Sequence, residues 1–169
     1  FGYMLLEAEA DLQAHALFRA LGVEPLGNEL DGAVLAKRAA GRRADLKAFL
    51  MDQRNIAGLG NIYVCEALFR AGLSPRRRAG TLAGRGGKPT ERTARLVPAI
   101  RQVLTEAVEA GGSTLRDYRQ PDGRAGSFQD RHYVYDREGE ECRKPGCGGI
   151  IRRITQAGRS TFYCPRCQT

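Results

Sequence analysis

The chain has 169 residues, with 27 Lys and Arg against 19 Asp and Glu, a net charge of +8, five Cys and no Trp. Hydrophobic residues make up 42% and charged residues 27%, a balance that is typical of a folded globular protein and excludes wholesale disorder. No stretch approaches the roughly 20 uncharged apolar residues that a membrane span needs. The length suits one ordinary domain or two small ones.

The basic residues are clustered along the sequence. Residues 76–101 hold eight basic side chains and one acidic, and residues 142–169 hold six basic and none acidic, whereas residues 1–36 hold one basic and six acidic. Because phosphate neutralisation dominates nucleic-acid affinity, such blocks favour a polyanionic partner. A solvated, arginine-rich surface is the alternative. The first residues show neither an initiator Met nor the layout of a signal peptide, so we expect no secretion and a start within a longer protein.

The first two thirds of the sequence predict helices, because apolar residues recur at helical spacing between glycines and prolines. A basic, glycine-rich connector follows the fourth helix, and residues 113–131 predict a long irregular loop. The five predicted helices cover residues 4–21, about 31–40, 45 to about 55, 62–72 and 90–110.

The last third changes character and predicts a small β module. Residues 133–135 resemble a strand that enters it. Residues 150–154 and 161–163 then form the two arms of a hairpin with Gly158 near the bend. We therefore expect a mainly α fold followed by a small β-hairpin, with a boundary between about 112 and 132.

Four cysteines have the spacing of a metal site: C-x4-C, sixteen residues, then C-x2-C. A module of about 28 residues is too small for a hydrophobic core of its own, so a metal must supply folding free energy. Two disulfides are the alternative. We predict one structural Zn²⁺ on Cys142, Cys147, Cys164 and Cys167, with Cys65 a buried free thiol in an apolar helical stripe.

A glycine loop between two helices is a candidate phosphate site. Gly58 and Gly60 permit close approach of a backbone, and Asn61 can donate its amide near the next helix start. Lys47 in the preceding helix and Arg42 just upstream could add positive charge. An ordinary tight turn with an N-cap is the alternative.

Arg159 follows Gly158 and should project from the hairpin tip, where its planar guanidinium could bind a phosphate with two hydrogen bonds. One more exposed arginine is the alternative. His132, beside two tyrosines, is predicted to be a loop or strand residue rather than a catalytic base.

With these features, the sequence resembles the C-terminal half of the formamidopyrimidine-DNA glycosylase family. Its members excise oxidised purines, such as 8-oxoguanine and formamidopyrimidines, and then cut the strand at the abasic site. The likeness runs over essentially the whole chain and is carried by KAFLMDQ (47–53), GLGNIY (58–63), EALF (66–69) and GRSTFYCPRCQ (158–168).

The resemblance implies a helix-two-turns-helix element at 46–71, within a DNA-binding domain over 1–131. Its loop 113–131 would close over the everted base, and a zinc finger over 132–169 would follow, with the family's catalytic N-terminal β-sandwich absent. The C-x4-C pair is longer than the commoner C-x2-C, which should widen the first knuckle without removing a ligand.

The resemblance also implies roles for single residues. Lys47 and Asn61 would bind phosphates beside the lesion, with Gly58 and Gly60 in the same loop. Arg159 would be a second clamp, and Arg42 a further DNA contact. The family names the arginine matched by Arg159 as a proton donor, but a guanidinium keeps its proton near neutral pH, which favours phosphate positioning.

The family's nucleophile is an N-terminal proline amine, supported by a glutamate and a lysine, and none of the three is matched here. We therefore expect the chain to bind DNA weakly and to cut nothing. The implied partner is double-stranded DNA with an oxidised base or abasic site, bound by a monomer in the bacterial cytoplasm at the nucleoid. A non-catalytic nucleic-acid-binding module, and an endonuclease VIII relative acting on oxidised pyrimidines, remain as alternatives.

Overall fold

The computed structural model describes residues 6, 8–12, 15–114 and 122–169, which form helices followed by a two-stranded hairpin. This confirms the predicted fold class. The helices are α1 Glu9–Leu12, α2 Ala16–Arg19, α3 Gly32–Ala39, α4 Leu46–Met51, α5 Asn61–Arg70 and α6 Glu91–Glu109. Single 3₁₀ turns lie at Ala79–Leu82, Arg85–Gly87 and Phe128–Arg131, and the strands are β1 Arg152–Gln156 and β2 Arg159–Tyr163.

Aspartate side chains fix where the two helices before the glycine loop begin. Asp31 accepts the Val34 N–H at 2.7 Å at the start of α3, and Asp45 accepts the Ala48 N–H at 2.7 Å at the start of α4. Each bond satisfies one of the backbone donors that a helix start leaves free. The segment from 45 to about 55 is helical only to Met51, since Asp52 instead accepts the Arg54 N–H at 3.0 Å in a turn.

Helix α5 is buried on two sides, and each side belongs to a different apolar core. Val64 and Leu68 pack in the larger core with α6. Cys65 and Phe69 pack in a smaller core with the cysteines and apolar residues of the C-terminal module. The helical part and the C-terminal module therefore share one helix.

The hairpin bends at Gly158, as the sequence predicted, and the structure shows that the bend is a tight two-residue turn. Ala157 (φ 48°) and Gly158 (φ 71°) are both left-handed, which is the requirement of a type I′ turn. Gln156 faces Arg159 across the closing pair of the ladder. Arg159 is therefore the first residue after the turn and is exposed at the hairpin tip.

The end of the chain is tied back to the segment after α5. The Gln168 side chain donates to the Leu73 carbonyl at 2.9 Å and accepts the Cys164 N–H at 2.8 Å. Thr169 and Gly72 are joined by a backbone bond of 3.2 Å. These bonds fix the second cysteine pair against the helical part.

The single helix predicted over residues 4–21 is wrong for the described part of that segment. Only the four-residue helices α1 and α2 are present, with a bend at His15, while residues 1–5, 7 and 13–14 lie outside the described residues. Leu6 is 97% exposed and Phe18 and Leu21 are also exposed. Since short helices are marginal without packing, these three exposed side chains give the described residues too little tertiary support to form one helix.

The strand predicted at 133–135 is also wrong, because its N–H groups bind a side chain instead of a neighbouring strand, as described below. The segment 113–131 is closed by a backbone bridge between Ser113 and Ser127, while residues 115–121 lie outside the described part. In the stretches that the structure describes, no helix has both the length and the hydrophobicity to span a membrane.

Candidate nucleic-acid interface and metal centre

The four paired cysteines converge on one point. Cys142 Sγ lies 3.8 Å from Cys167 Sγ, Cys147 Sγ lies 3.6 Å from Cys164 Sγ, and all four sulfurs lie within 4.8 Å of one another. A disulfide needs an S–S distance of about 2.05 Å, so the disulfide alternative is excluded. Zn–S bonds of about 2.3 Å in a tetrahedron place sulfurs roughly 3.8 Å apart. The site fits one structural Zn²⁺, as predicted.

The longer first knuckle keeps its ligands in place through backbone contacts. The Cys142 N–H donates to the Gly149 carbonyl at 2.8 Å. A Cβ at Gly149 would lie 2.7 Å from Cys164 Sγ and 3.3 Å from Cys147 Sγ. Only glycine allows the backbone this close to the sulfurs, so Gly149 is part of the metal site that the sequence reading did not single out.

Asn61 and Arg159 line one cleft of about 780 Å³, together with Tyr135 and Ser160. Asn61 is the first residue of α5, and its Nδ2 donates to the Ser160 carbonyl at 3.0 Å and contacts Tyr135 Oη at 3.3 Å. The start of α5 and the hairpin tip therefore face the same space. Three segments that are far apart in sequence supply its walls, because Tyr135 also lines the cleft.

The glycine loop is open on the surface beside this cleft. Gly58 is exposed with φ +73°, and its N–H is already donated to Gln53 Oε1 at 2.7 Å. Gly60 lines the cleft, and a Cβ at either glycine would meet no atom within 4 Å. The loop therefore leaves room for another backbone, while the Gly58 N–H is not free to bind it.

Lys47 differs from the other candidates because it is completely buried. Its side chain is 0% exposed, and its Nζ has no hydrogen-bond partner within the described ranges. Burial lowers the pKa of Lys47; the charge of Arg159 lowers it further, while Cys65 and Asp45 oppose the shift. Lys47 is thus near the hairpin tip, but its amine must be uncovered before it can reach a phosphate.

Arg42 lies in a different cleft. This second cleft, of about 520 Å³, is lined by Arg38, Arg42 and Arg54 among others. Arg42 is exposed and donates through Nε to the Arg38 carbonyl at 3.4 Å. The structure therefore groups Asn61, Gly60 and Arg159 at one site and places Arg42 apart from them.

Glu66 has a role that the sequence reading missed. It is 0% exposed, and its carboxylate accepts the N–H groups of Tyr133, Val134 and Tyr135 at 2.9, 3.0 and 2.9 Å. These three bonds hold the 133–135 segment against α5 and place the Tyr135 hydroxyl beside Asn61. A lone glutamate inside an apolar helical stripe was the available signal, since a buried carboxylate needs several donors.

His132 and Cys65 are both buried. His132 packs between the rings of Phe128 and Tyr135, each with centroids 5.5 Å away, and burial lowers its pKa despite the nearby Glu66 charge. Burial raises the pKa of Cys65 to about 11, and Cys65 forms no disulfide. The prediction of a buried free thiol at Cys65 is confirmed.

Comparison with known proteins identifies two family models on this chain. The formamidopyrimidine-DNA glycosylase H2TH domain matches residues 21–119, and a zinc finger found in FPG and IleRS matches residues 139–169. Formamidopyrimidine-DNA glycosylases from Beijerinckia indica and a Chelativorans species are each 66% identical over 168 residues, which are 99% of this chain and 58% and 57% of those proteins.

Solved structures show the same likeness. The crystal structure of the MutM (Fpg) protein from Thermus thermophilus is 49% identical with a TM-score of 0.81, covering 94% of this chain and 57% of that one. A Lactococcus lactis Fpg in complex with abasic-site DNA is 31% identical with a TM-score of 0.82, covering 95% and 56%. The chain spans a little over half the length of these relatives, and it belongs to the formamidopyrimidine-DNA glycosylase family.

Proposed function

We propose that this chain is the DNA-binding portion of a bifunctional base-excision-repair glycosylase and AP lyase that removes oxidised purines. The observation that carries the proposal is the shared cleft of Asn61 and Arg159. An amide donor at a helix start and an exposed guanidinium at a hairpin tip both suit phosphate oxygens. The solved Lactococcus lactis relative is in complex with abasic-site DNA, which supports the same partner here.

The cleft would act by holding a distorted backbone. Chemistry on a base inside a duplex requires rotating the nucleotide out, at a cost of a few kcal/mol. Asn61 and Arg159 would bind the phosphates that flank the everted nucleotide. Lys47 would add a positive charge once its amine is uncovered, and Gly58 and Gly60 would leave room for the sugar-phosphate chain. Arg42, in its separate cleft, would bind a phosphate farther away.

The zinc ion would be structural. Four thiolates fill its coordination sphere, and they hold the hairpin so that Arg159 faces the cleft. We assign phosphate positioning rather than proton donation to Arg159, because a guanidinium does not release its proton near neutral pH. Loop 113–131 would close over the everted base, in a domain 1–131 followed by the zinc finger 132–169.

None of the 169 residues matches the family's proline nucleophile, so we propose that the chain alone binds DNA as a monomer without cutting it. Incubation with duplexes containing 8-oxoguanine or an abasic site should leave both strands intact. The protein that includes the remaining family length should excise 8-oxoguanine faster than an oxidised pyrimidine. The opposite preference would favour the endonuclease VIII alternative.

Binding of a duplex with a tetrahydrofuran abasic-site analogue tests the cleft directly. Asn61→Ala and Arg159→Ala should each weaken binding about tenfold to a hundredfold, since a charged hydrogen bond contributes about 1.5–3 kcal/mol. Lys37→Ala is the matched control, because Lys37 is exposed on α3 and does not line the cleft. Equal affinities for all three variants would rule out the cleft as the DNA site.

A further inference from the structure

We propose that five arginines beside the cleft form a second surface for the phosphates of duplex DNA, beyond those that Asn61 and Arg159 bind. This inference rests on the proposed function and extends it along the duplex. The residues, called the arginine strip below, are Arg76, Arg77, Arg78, Arg92 and Arg95. They come from the connector after α5 and from the first turns of α6.

Hydrogen bonds place the start of the strip next to the cleft. The Pro75 carbonyl accepts the Lys47 N–H at 3.3 Å and the Gln156 side chain at 3.2 Å. Gln156 faces Arg159 across the end of the hairpin. Arg76 follows Pro75 directly and is exposed, so it lies on the surface beside the first turn of α4 and the hairpin.

The strip continues from the connector to α6. Arg77 donates through Nε to the Thr169 carbonyl at 3.2 Å, which fixes its position. A Cβ at Gly72 would lie 3.6 Å from Arg95 Nη1, and Gly72 pairs through its backbone with Thr169, so Arg95 and Arg77 meet at the same place. Burial lowers the pKa of Arg77, and the charges of Arg92 and Arg95 lower it further. Arg78 pairs through its backbone with Asp45 at the start of α4 and is exposed.

The charge of the strip is almost unopposed. Among the residues that the structure describes, its one ion pair within 4.0 Å is Arg95 with Glu91, at 3.9 Å and largely exposed. Clustering like charges is unfavourable unless an anion is bound nearby. The N-terminus of the 19-residue helix α6 adds a partial positive charge at the same place.

The extent of the strip favours duplex DNA over a small anion. It runs over two elements, as a row of phosphates would, and starts at the site already proposed for the backbone. Each phosphate neutralised by an arginine contributes about 0.9 to the slope of log affinity against log salt. Binding to duplexes long enough to reach the strip should therefore depend more steeply on salt concentration than binding to shorter duplexes.

The test measures salt slopes on duplexes of about 8 and about 24 base pairs, roughly 27 and 82 Å long, both carrying the abasic-site analogue. On the longer duplex, Arg76→Ala/Arg78→Ala and Arg92→Ala/Arg95→Ala should each reduce the slope by up to about two. The Arg92→Ala/Arg95→Ala variant should bind the shorter duplex like the unchanged chain. Arg77 is left in place because it binds Thr169.

Two controls make the result specific. Arg19→Ala/Lys37→Ala removes the same charge from exposed positions elsewhere and should leave the slope unchanged. Arg76→Lys/Arg78→Lys keeps the charge and should keep the slope. Gln replaces Ala in any variant that circular dichroism shows to be unfolded. The inference would be overturned if the strip variants kept the salt slope of the unchanged chain, or if the Arg19→Ala/Lys37→Ala control lowered the slope by the same amount. Either result would leave the conclusion on Asn61 and Arg159 unaffected.

Discussion

At the residue scale, Lys47 shows how burial changes the meaning of a motif. Its place near the start of α4 predicted a surface phosphate ligand, but the side chain is buried within reach of the Cys65 thiol and the charge of Arg159. Its amine has no partner in the described parts of the chain. Such contacts arise between segments far apart in sequence, so spacing alone could not show them. An unpaired buried amine lowers stability, and we infer that it is retained for binding.

We expect Lys47→Met to raise the free energy of unfolding by about 1–3 kcal/mol, because it removes an unsatisfied buried donor. The same change should weaken DNA binding. Urea denaturation and duplex binding of one protein sample measure both effects. Lys37→Met, on the exposed face of α3, is the control and should change neither quantity by much. A less stable Lys47→Met variant would contradict the assignment.

The stabilising effect of Lys47→Met should depend on pH. Because the pKa of Lys47 is lowered in the folded state, the unfolded chain binds more protons between that pKa and about 10.4. The stability of the unchanged chain therefore rises with pH in this window relative to the Met variant. Denaturation at neutral pH and near pH ~10 should show the difference between the two proteins shrinking. A constant difference would mean that Lys47 does not titrate differently on folding.

Glu66→Gln should destabilise the protein by about 2–3 kcal/mol, because charged hydrogen bonds to three N–H groups are lost or weakened. The amide of Gln also brings donors toward donors. Thermal unfolding measures the loss, with the exposed Glu109→Gln as control. If the two variants unfold at the same temperature, the three bonds at 133–135 contribute little.

At the element scale, the local chemistry of the sequence predicted some features and missed others. The aspartates before α3 and α4, the Ala157-Gly158 turn and the cysteine pairs carry their own structural preferences, so their elements lie close to the expected positions. The 133–135 segment has the composition of a strand, and nothing local reveals that Glu66, 67 residues earlier, binds its N–H groups. The position of Arg159 at the hairpin tip could be predicted from the turn. Its proximity to Asn61 could not, because that depends on how the hairpin packs against α5.

Helices α5 and α6 are joined by an ion pair with two hydrogen bonds, which should weaken in acid. Arg70 donates two bonds of 2.7 Å to Glu106. These bonds lower the pKa of Glu106, so the contact stabilises the fold above the unfolded pKa of about 4.3 and is lost as pH falls through the folded pKa. Glu106→Gln should lower the free energy of unfolding by about 1 kcal/mol at neutral pH, a modest loss because Glu106 is partly exposed. The loss should be smaller in acid, where Glu106 itself is protonated. Denaturation curves at both pH values, with equal losses in each, would contradict this.

At the scale of the whole molecule, the metal site and the cleft proposed to bind DNA are connected through α5. The zinc site lies in a core with Cys65 and Phe69, and the first residue of the same helix is Asn61. The resemblance predicted both sites but treated the helical part and the finger as separate domains. The helical periodicity of α5 marks many apolar positions without showing that they face two different cores.

Removing zinc with a strong chelator should unfold the residues after about 132 and uncover Cys65, while α3 and α6 keep the larger core. Amide spectra should show the first change, and alkylation should show Cys65 reacting together with the four ligand thiols. Gly149→Ala should lower the chelator concentration required, because a Cβ would crowd two of the sulfurs. Unchanged amide spectra after chelation would contradict a structural role for the metal.

The two-sided burial of α5 also constrains how this protein can change over generations. A substitution at Cys65 or Phe69 alters the surface that packs against the finger, while one at Val64 or Leu68 alters the surface that packs against α6. Either half can be replaced only if the face of this ten-residue helix that packs against it is changed as well. A change on one face of this helix must therefore preserve the packing on the other face if the finger and the helices are to stay joined.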